Sequence, residues 1–311
     1  MSTIQTAILD ILESEQIAPS PSAAAMCEKI MSVHEGRVQA MLYYGSSLRA
    51  MNDPEKMLDF YVLVDSYLKT HRNPMRALLN YLIPPAVYYL ERENEDGTIS
   101  NCKYSLLSLR AFEAKCTKKA ILSQIWGRFS QPCVLLYPKT EEIRLRVQRA
   151  RADAIRHMAS VTMPLTAERV TSIQFWATGF TQSYKTELRP EKSDSRSEEI
   201  VTRYHERYTG LMRALYGHAN TGGLYLLPTS TKWRKFTCKT MWALRRILGK
   251  PTAAIRILNS AATFSGGIDY VLHKLKSHSG VTIDISPSQR KHPILWSPIL
   301  AWKLYRRGAF K

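Results

Sequence analysis

Short apolar runs and longer amphipathic runs follow one another along the chain in a definite order. Residues 22–40 have helical spacing and lead into "VQAMLYYGSS", where the apolar stretch "AMLYY" is read as a buried strand ended by a Gly-Ser turn. "MLDFYVLVD" is apolar at successive positions, the pattern of an inner strand covered on both faces. "RALLNYL" has helical spacing and stops before Pro84-Pro85. "AVYYLE" and "CKYSLLS" flank "NEDGTISN", so these segments are expected to form a hairpin. Residues 109–128 are expected as helix, and "CVLLY" after Pro132 as another strand.

Beyond residue 140 the alternation fades. Amphipathic runs at 141–160, 166–187, 196–217 and 232–249 predict helices, with "RPEKSDSRSEE" as a polar loop. Pro251 is expected to restart a helix near 252–262, which "FSGGIDY" breaks. The pattern predicts an α+β fold: a mixed sheet with helices in residues 1–140, a helical domain in 141–230, and a basic C-terminal helical segment in 231–311.

Composition sharpens this. The chain has 311 residues, 45% of them hydrophobic, enough for a large buried core. Its formal net charge is +18, and residues 231–311 hold sixteen Lys and Arg against Asp269 and Asp284, so an anionic partner is expected. In "KWRKFTCKTMWALRRILGK" and "ILWSPILAWKLYRR" the cations alternate with Trp and aliphatic residues, including Trp233, Phe236, Trp242 and Leu248. That mixture suits an anionic membrane surface better than nucleic acid, which is not expected as a partner. No run approaches the length of a membrane span, and the acidic start "ILDILESEQ" is unlike a secretory or mitochondrial leader. Five scattered cysteines, without CxxC or metal spacing, are read as small buried residues in a reducing compartment.

The candidate chemistry starts at Gly45-Ser46-Ser47. A Gly-Ser turn offers backbone N–H groups and hydroxyls to a triphosphate. Asp59, thirteen residues after Ser46, heads the next apolar run, where a carboxylate can hold a Mg²⁺ bridging phosphate oxygens. Polymerase-β-type nucleotidyltransferases share this arrangement, with a second acid two residues further along the strand. That position is Tyr61 here, and Asp65 lies roughly 20 Å further along an extended strand.

Several motifs in order resemble the mitochondrial phosphatidate cytidylyltransferases, the translocator assembly and maintenance family, and their bacterial relatives. "YYGSS" and "MLDFYVLVD" are similar to the family's Tyr-Gly-Ser-Gly and Met-Leu-Asp-Phe; "PPAVYYL" to Gly-Ala-Gly-Val-Tyr-Tyr-Asn; "KYSLLS" to Lys-Tyr-Gly-Val-Val-Ser. "IWGRFSQPC" resembles Ala-Gly-Arg-Leu-x-Lys-Pro-Val, "SYKTELR" resembles Ser-Tyr-x-Gly-Asp-x-Arg, and "AIRILNSAATFSGG" resembles Ile-Arg-x-x-x-Lys-Gly-x-x-Thr-x-Gly. The resemblance runs from about residue 40 to 280 and implies a polymerase-β-like nucleotidyltransferase fold. It also implies a reaction: CTP and phosphatidic acid give CDP-diacylglycerol and pyrophosphate, with Mg²⁺, in phospholipid biosynthesis.

On that resemblance Gly45, Ser46 and Ser47, with Lys103 and Arg128, would hold the CTP phosphates. Asp59 and Glu187 would be the catalytic, metal-binding carboxylates, and Arg189 a phosphate or structural partner. The chain departs from the family at Thr186 (Gly), Glu187 (Asp) and Gln131 (Lys). The family's Trp-His has no clear counterpart, His71 being nearby. Taken as residues alone, Lys103 also suits a solvated edge strand, Arg128 a stack on Trp126 or Phe129, and Glu187 with Arg189 a surface pair. Two other functions stay open: a nucleotidyltransferase acting on RNA or a small phosphorylated acceptor, and an inactive membrane-bound nucleotide-binding scaffold. The expected location is the cytoplasmic side of a bacterial inner membrane, as a peripheral protein.

Overall fold

The computed structural model describes residues 3–49, 57–94, 97–187, 193–261 and 285–291, together with 296, 299, 300, 302, 303, 306 and 307. The chain is α+β and divides into two compact units. One comprises Ile17–Ala111, Cys133–Arg144 and Pro251–Lys311; the other comprises Met1–Gln16, Phe112–Pro132 and Leu145–Lys250.

The first unit holds a five-stranded mixed sheet. Helix α1 (Thr3–Ser14), from the second unit, precedes it in sequence. Helix α2 (Pro21–Val33) starts where Ser20 accepts a hydrogen bond from the Ala23 amide, with proline in the first turn. It stops at Val33, short of the residue 40 expected from spacing, because Glu35 and Gly36 take positive φ and turn the chain into β1 (Val38–Tyr44). There follow α3 (Ser46–Arg49), β2 (Leu58–Val64), α4 (Tyr67–His71), α5 (Pro74–Leu82), β3 (Ala86–Glu93) and β4 (Ile99–Ser108).

The spatial order is β3-β4-β2-β1, with β5 (Cys133–Pro138) at the far edge. Strands β2 and β4 are parallel; the other neighbours are antiparallel. The hairpin expected across "NEDGTISN" is β3–β4, with Ala86 opposite Leu106 and Glu93 opposite Ile99.

Period-two alternation divides the side chains between the two faces. Met41, Tyr43, Leu58, Phe60, Val62, Cys102, Tyr104 and Leu106 form one apolar layer, covered by Ala23, Met26, Cys27 and Ile30 of α2. Tyr44, Asp59, Lys103 and Tyr89 lie in register across the opposite face.

The second unit is helical. Residues 109–128, expected as one helix, form α6 (Leu109–Lys115) and α7 (Gln124–Phe129), separated by turns around Thr117–Ala120. Then come α8 (Glu141–Thr162), β6 (Arg169–Val170), α9 (Ser172–Tyr184), α10 (Ser193–Arg203), α11 (His205–Tyr216), β7 (Tyr225–Leu226) and α12 (Lys232–Ala261). Strands β6 and β7 pair in a small sheet where none was expected. Helix α9 carries a capping box, Thr171 with Gln174.

Residues 193–199, expected as polar loop, are helical. Arg196–Glu199 and Arg203–Glu199 pairs support α10, and Ser197, Ile200 and Val201 are buried. The run 196–217 is broken at Tyr204, which has non-helical backbone. Pro251 lies inside α12 and does not restart it; one backbone donor is lost without ending the helix.

The core of the second unit is aromatic. Trp176 packs on Phe175, Phe180 and Tyr208, and its indole nitrogen donates to the Tyr208 carbonyl at 3.2 Å. Glu15 ties three segments together, taking Arg151 at 2.9 Å and the guanidinium of Arg207, which also donates to the Ser130 carbonyl at 2.9 Å. All five cysteines are free thiols, four of them buried. Among the described residues no helix is long and apolar enough to cross a membrane.

Candidate nucleotide and metal site

The end of β1 delivers Tyr44 opposite Asp59 of β2, and Asp59 in turn lies opposite Lys103 of β4. Along β2 every side chain is buried except that of Asp59, which is partly open. The Lys103 ammonium stands 3.3 Å from its Oδ1. Lys103 belongs to a strand flanked on both sides, so the solvated edge-strand reading does not hold.

The chain leaves β1 through Gly45, whose φ is 86°. That conformation favours glycine, and space demands it too: a Cβ there would sit 2.9 Å from Asp59 Oδ2 and 3.4 Å from its Cβ. The Gly-Ser turn therefore lies close against the Asp59 carboxylate, an approach that a side chain at position 45 would not allow. Ser46 begins α3, partly open, and Ser47 follows it in the same helix.

The next position on that face, where a second acid is expected, holds Tyr61. It is buried and packs on Tyr44 with ring centroids 5.1 Å apart. Asp65 pairs with Arg37 at 3.0 Å. His71 accepts from, or donates to, the Tyr88 hydroxyl at 3.0 Å through Nδ1, and its pKa is lowered by burial first and by Arg76 second.

The other two side chains meet within the second unit. Arg128, in the last turn of α7, has Nη2 3.8 Å from Glu187 Oε2, both of them largely buried. Glu187 follows α9 by three residues, and its amide donates to the Tyr184 carbonyl at 3.0 Å. Thr186 holds the turn. Its Oγ1 donates to the Ser183 carbonyl at 2.7 Å and lies 2.9 Å from Ser123 Oγ, next to α7.

Two glycines let the elements close on this turn. A Cβ at Gly127 would lie 2.3 Å from Ser183 Oγ, and one at Gly249 of α12 would lie 2.4 Å from the Thr186 carbonyl oxygen. Ser123, Thr186, Gly127 and Gly249 went unassigned from sequence, where nothing joins positions so far apart. Thr186, a departure from the family motif, has a structural use here.

Asp59 with Lys103, and Glu187 with Arg128, are thus two acid–base pairs, each built within its own unit. Arg189 lies outside the described residues, as do the "FSGGIDY" break and half of the "ILWSPILAWKLYRR" stretch.

Among the described residues no group of three or more His, Cys, Asp or Glu side chains could cage a metal ion. The donor chemistry of the partly open Asp59 carboxylate beside the Gly-Ser turn nevertheless fits a Mg²⁺ bound as that ion usually is in phosphoryl-transfer sites, by one or two carboxylates plus substrate phosphates and water.

No protein-family model matches the chain, and no curated protein matches it.

Proposed function

We propose that the chain is a Mg²⁺-dependent nucleotidyltransferase of the polymerase-β type, related to the phosphatidate cytidylyltransferases. In this reading it moves CMP from CTP to phosphatidic acid, giving CDP-diacylglycerol and pyrophosphate. The observation that carries it is the positive-φ Gly45 pressed against Asp59, with Lys103 on the same carboxylate. A Gly-Ser turn needs no such contact to serve as a turn. Placed over an acid at the start of a strand, it suits a triphosphate whose metal that acid binds.

Several groups share the work. The backbone N–H groups at Gly45–Ser47 and the Ser46 hydroxyl would hold phosphate oxygens. Lys103 and Arg128 would offset their charge. Asp59 and Glu187 would hold Mg²⁺, which when bound supplies charge neutralisation between phosphate oxygens. A phosphate oxygen of phosphatidic acid attacks the α-phosphorus of CTP, and the bond to the bridging oxygen breaks as pyrophosphate departs. That oxygen is already an anionic nucleophile, so alignment of two polyanions is the main task.

Access to a lipid substrate is supported by α12. Trp233, Phe236, Leu244, Ile247 and Leu248 are exposed along one stripe, while Trp242 is buried on the opposite side. Lys232, Lys235, Lys239 and Arg246 run along one side of the helix, between the stripe and the buried face. This is an interfacial helix lying along a bilayer whose anionic headgroups attract its cations. A peripheral position on the cytoplasmic side of a bacterial inner membrane accords with it.

Tyr61 in the usual place of a second acid favours one rival, an inactive nucleotide-binding scaffold on the membrane. Incubation with labelled CTP, Mg²⁺ and either phosphatidic acid vesicles or RNA tests both. Labelled CDP-diacylglycerol with wild type and none with Asp59→Asn is expected. Labelled RNA would move the acceptor, and CTP bound without turnover would leave the scaffold.

A further inference from the structure

The face of α5 is inverted. Ala77 and Asn80 point inward and are buried, whereas Met75, Leu78, Tyr81 and Leu82 point outward and are each 49–71% exposed. Helix α4 adds Leu68, 57% exposed. The inward side is clasped by polar bonds: Asn80 accepts from the Ala86 amide at 2.7 Å and donates to the Leu106 carbonyl at 3.4 Å. The helix is thus pinned to the sheet while its large apolar side chains face away. Asn73 caps its start by accepting from the Arg76 amide, so its orientation is set at both ends.

The charges on these two helices are of one sign. Residues 66–90 contain no Asp or Glu, and Lys69, Arg72 and Arg76 are exposed among the apolar side chains. Glu35, exposed, pairs with Arg72. A protein groove would be met equally well by apolar residues alone. A patch of Leu, Met and Tyr carrying Lys69, Arg72 and Arg76, with only Arg72 shown paired to an acid among the described residues, matches apolar insertion beneath anionic headgroups.

We infer that α4 and α5 form a second membrane-contact surface, separate in sequence from the α12 stripe and selective for bilayers with anionic headgroups. The surface does not depend on nucleotidyl transfer: it holds whether or not the protein turns over CTP.

The test is flotation of the full chain with vesicles of phosphatidylcholine alone or mixed with phosphatidylglycerol, neither being the proposed substrate. Wild type should float with the mixed vesicles, less at high salt. Leu78→Ser with Leu82→Ser, and separately Lys69→Glu with Arg76→Glu, should each lower the affinity at least about tenfold, with unchanged thermal unfolding because all four side chains are exposed. Undiminished flotation of both double variants overturns the inference. So does equal flotation on pure phosphatidylcholine, or a wild-type dimer in light scattering that Leu78→Ser with Leu82→Ser converts to monomer.

Discussion

Replacing Gly45 by alanine acts on the backbone and on the neighbouring acid at once. An L-residue at φ 86° costs about 1–2 kcal/mol relative to glycine. The new methyl group would also stand 2.9 Å from Asp59 Oδ2 and 3.5 Å from its Cγ, closer than a Cβ ordinarily approaches an oxygen. The carboxylate must turn away, which loosens its 3.3 Å contact with Lys103. Crowding of this kind adds about 1 kcal/mol or more, for a total of about 2–3 kcal/mol. Urea unfolding followed by circular dichroism reads the loss, and calorimetry with CTP and Mg²⁺ reads the site, where affinity should fall at least about tenfold. Ser46→Ala is the control: it removes only a hydroxyl, and should weaken CTP binding while leaving unfolding within about 0.5 kcal/mol of wild type. A Gly45→Ala protein as stable as wild type and equally good at binding CTP would refute the reasoning.

Three further outcomes follow from other parts of the fold. Glu15→Gln strips the carboxylate from two guanidiniums, one of them fully buried, and should destabilise the second unit by about 3–5 kcal/mol in urea; a loss under about 1 kcal/mol would contradict this account. Burial, with a smaller contribution from His71 in one case and Arg245 in the other, holds His34 and His157 at about 4, against 6.5 when unfolded. The unfolded chain therefore binds more protons below pH 6.5, and stability falls on acidification, by about 2 kcal/mol per histidine by about pH 5; His34→Gln with His157→Gln should flatten that slope in urea titrations. Gly249→Ala would set a methyl 2.4 Å from the Thr186 carbonyl and should cost about 1–3 kcal/mol, with weaker CTP binding through the displaced Glu187 turn; unchanged binding would separate that turn from the site.

What was legible in the sequence was what local pattern encodes. β1, β2, β5 and the β3–β4 hairpin announced themselves because apolar runs and turn residues lie next to each other. The body of α10 was legible in the amphipathic run from residue 196, but its start at Ser193 and its break from α11 at Tyr204 were not, since the polar composition of "SDSRSEE" reads as loop. The parallel pairing of β2 with β4 joins strands separated by two helices and β3, so the Asp59–Lys103 contact rests on a register no local pattern carries. The Gly-Ser turn was visible as a turn; that a Cβ at Gly45 would strike Asp59 was not. Likewise Thr186 counted only as a departure from a motif until its bonds to Ser183 and Ser123 were seen.

The proposed nucleotidyl transfer requires Asp59 and Glu187 to act on the same bound Mg²⁺–CTP. A double-mutant cycle measures this directly, from the Mg²⁺–CTP affinities of wild type, Asp59→Asn, Glu187→Gln and the double variant by calorimetry. If both carboxylates hold the same ion, the two losses will fail to add, with a coupling of about 1 kcal/mol or more. Losses that add within about 0.5 kcal/mol, or a Glu187→Gln protein that binds CTP like wild type, would contradict it.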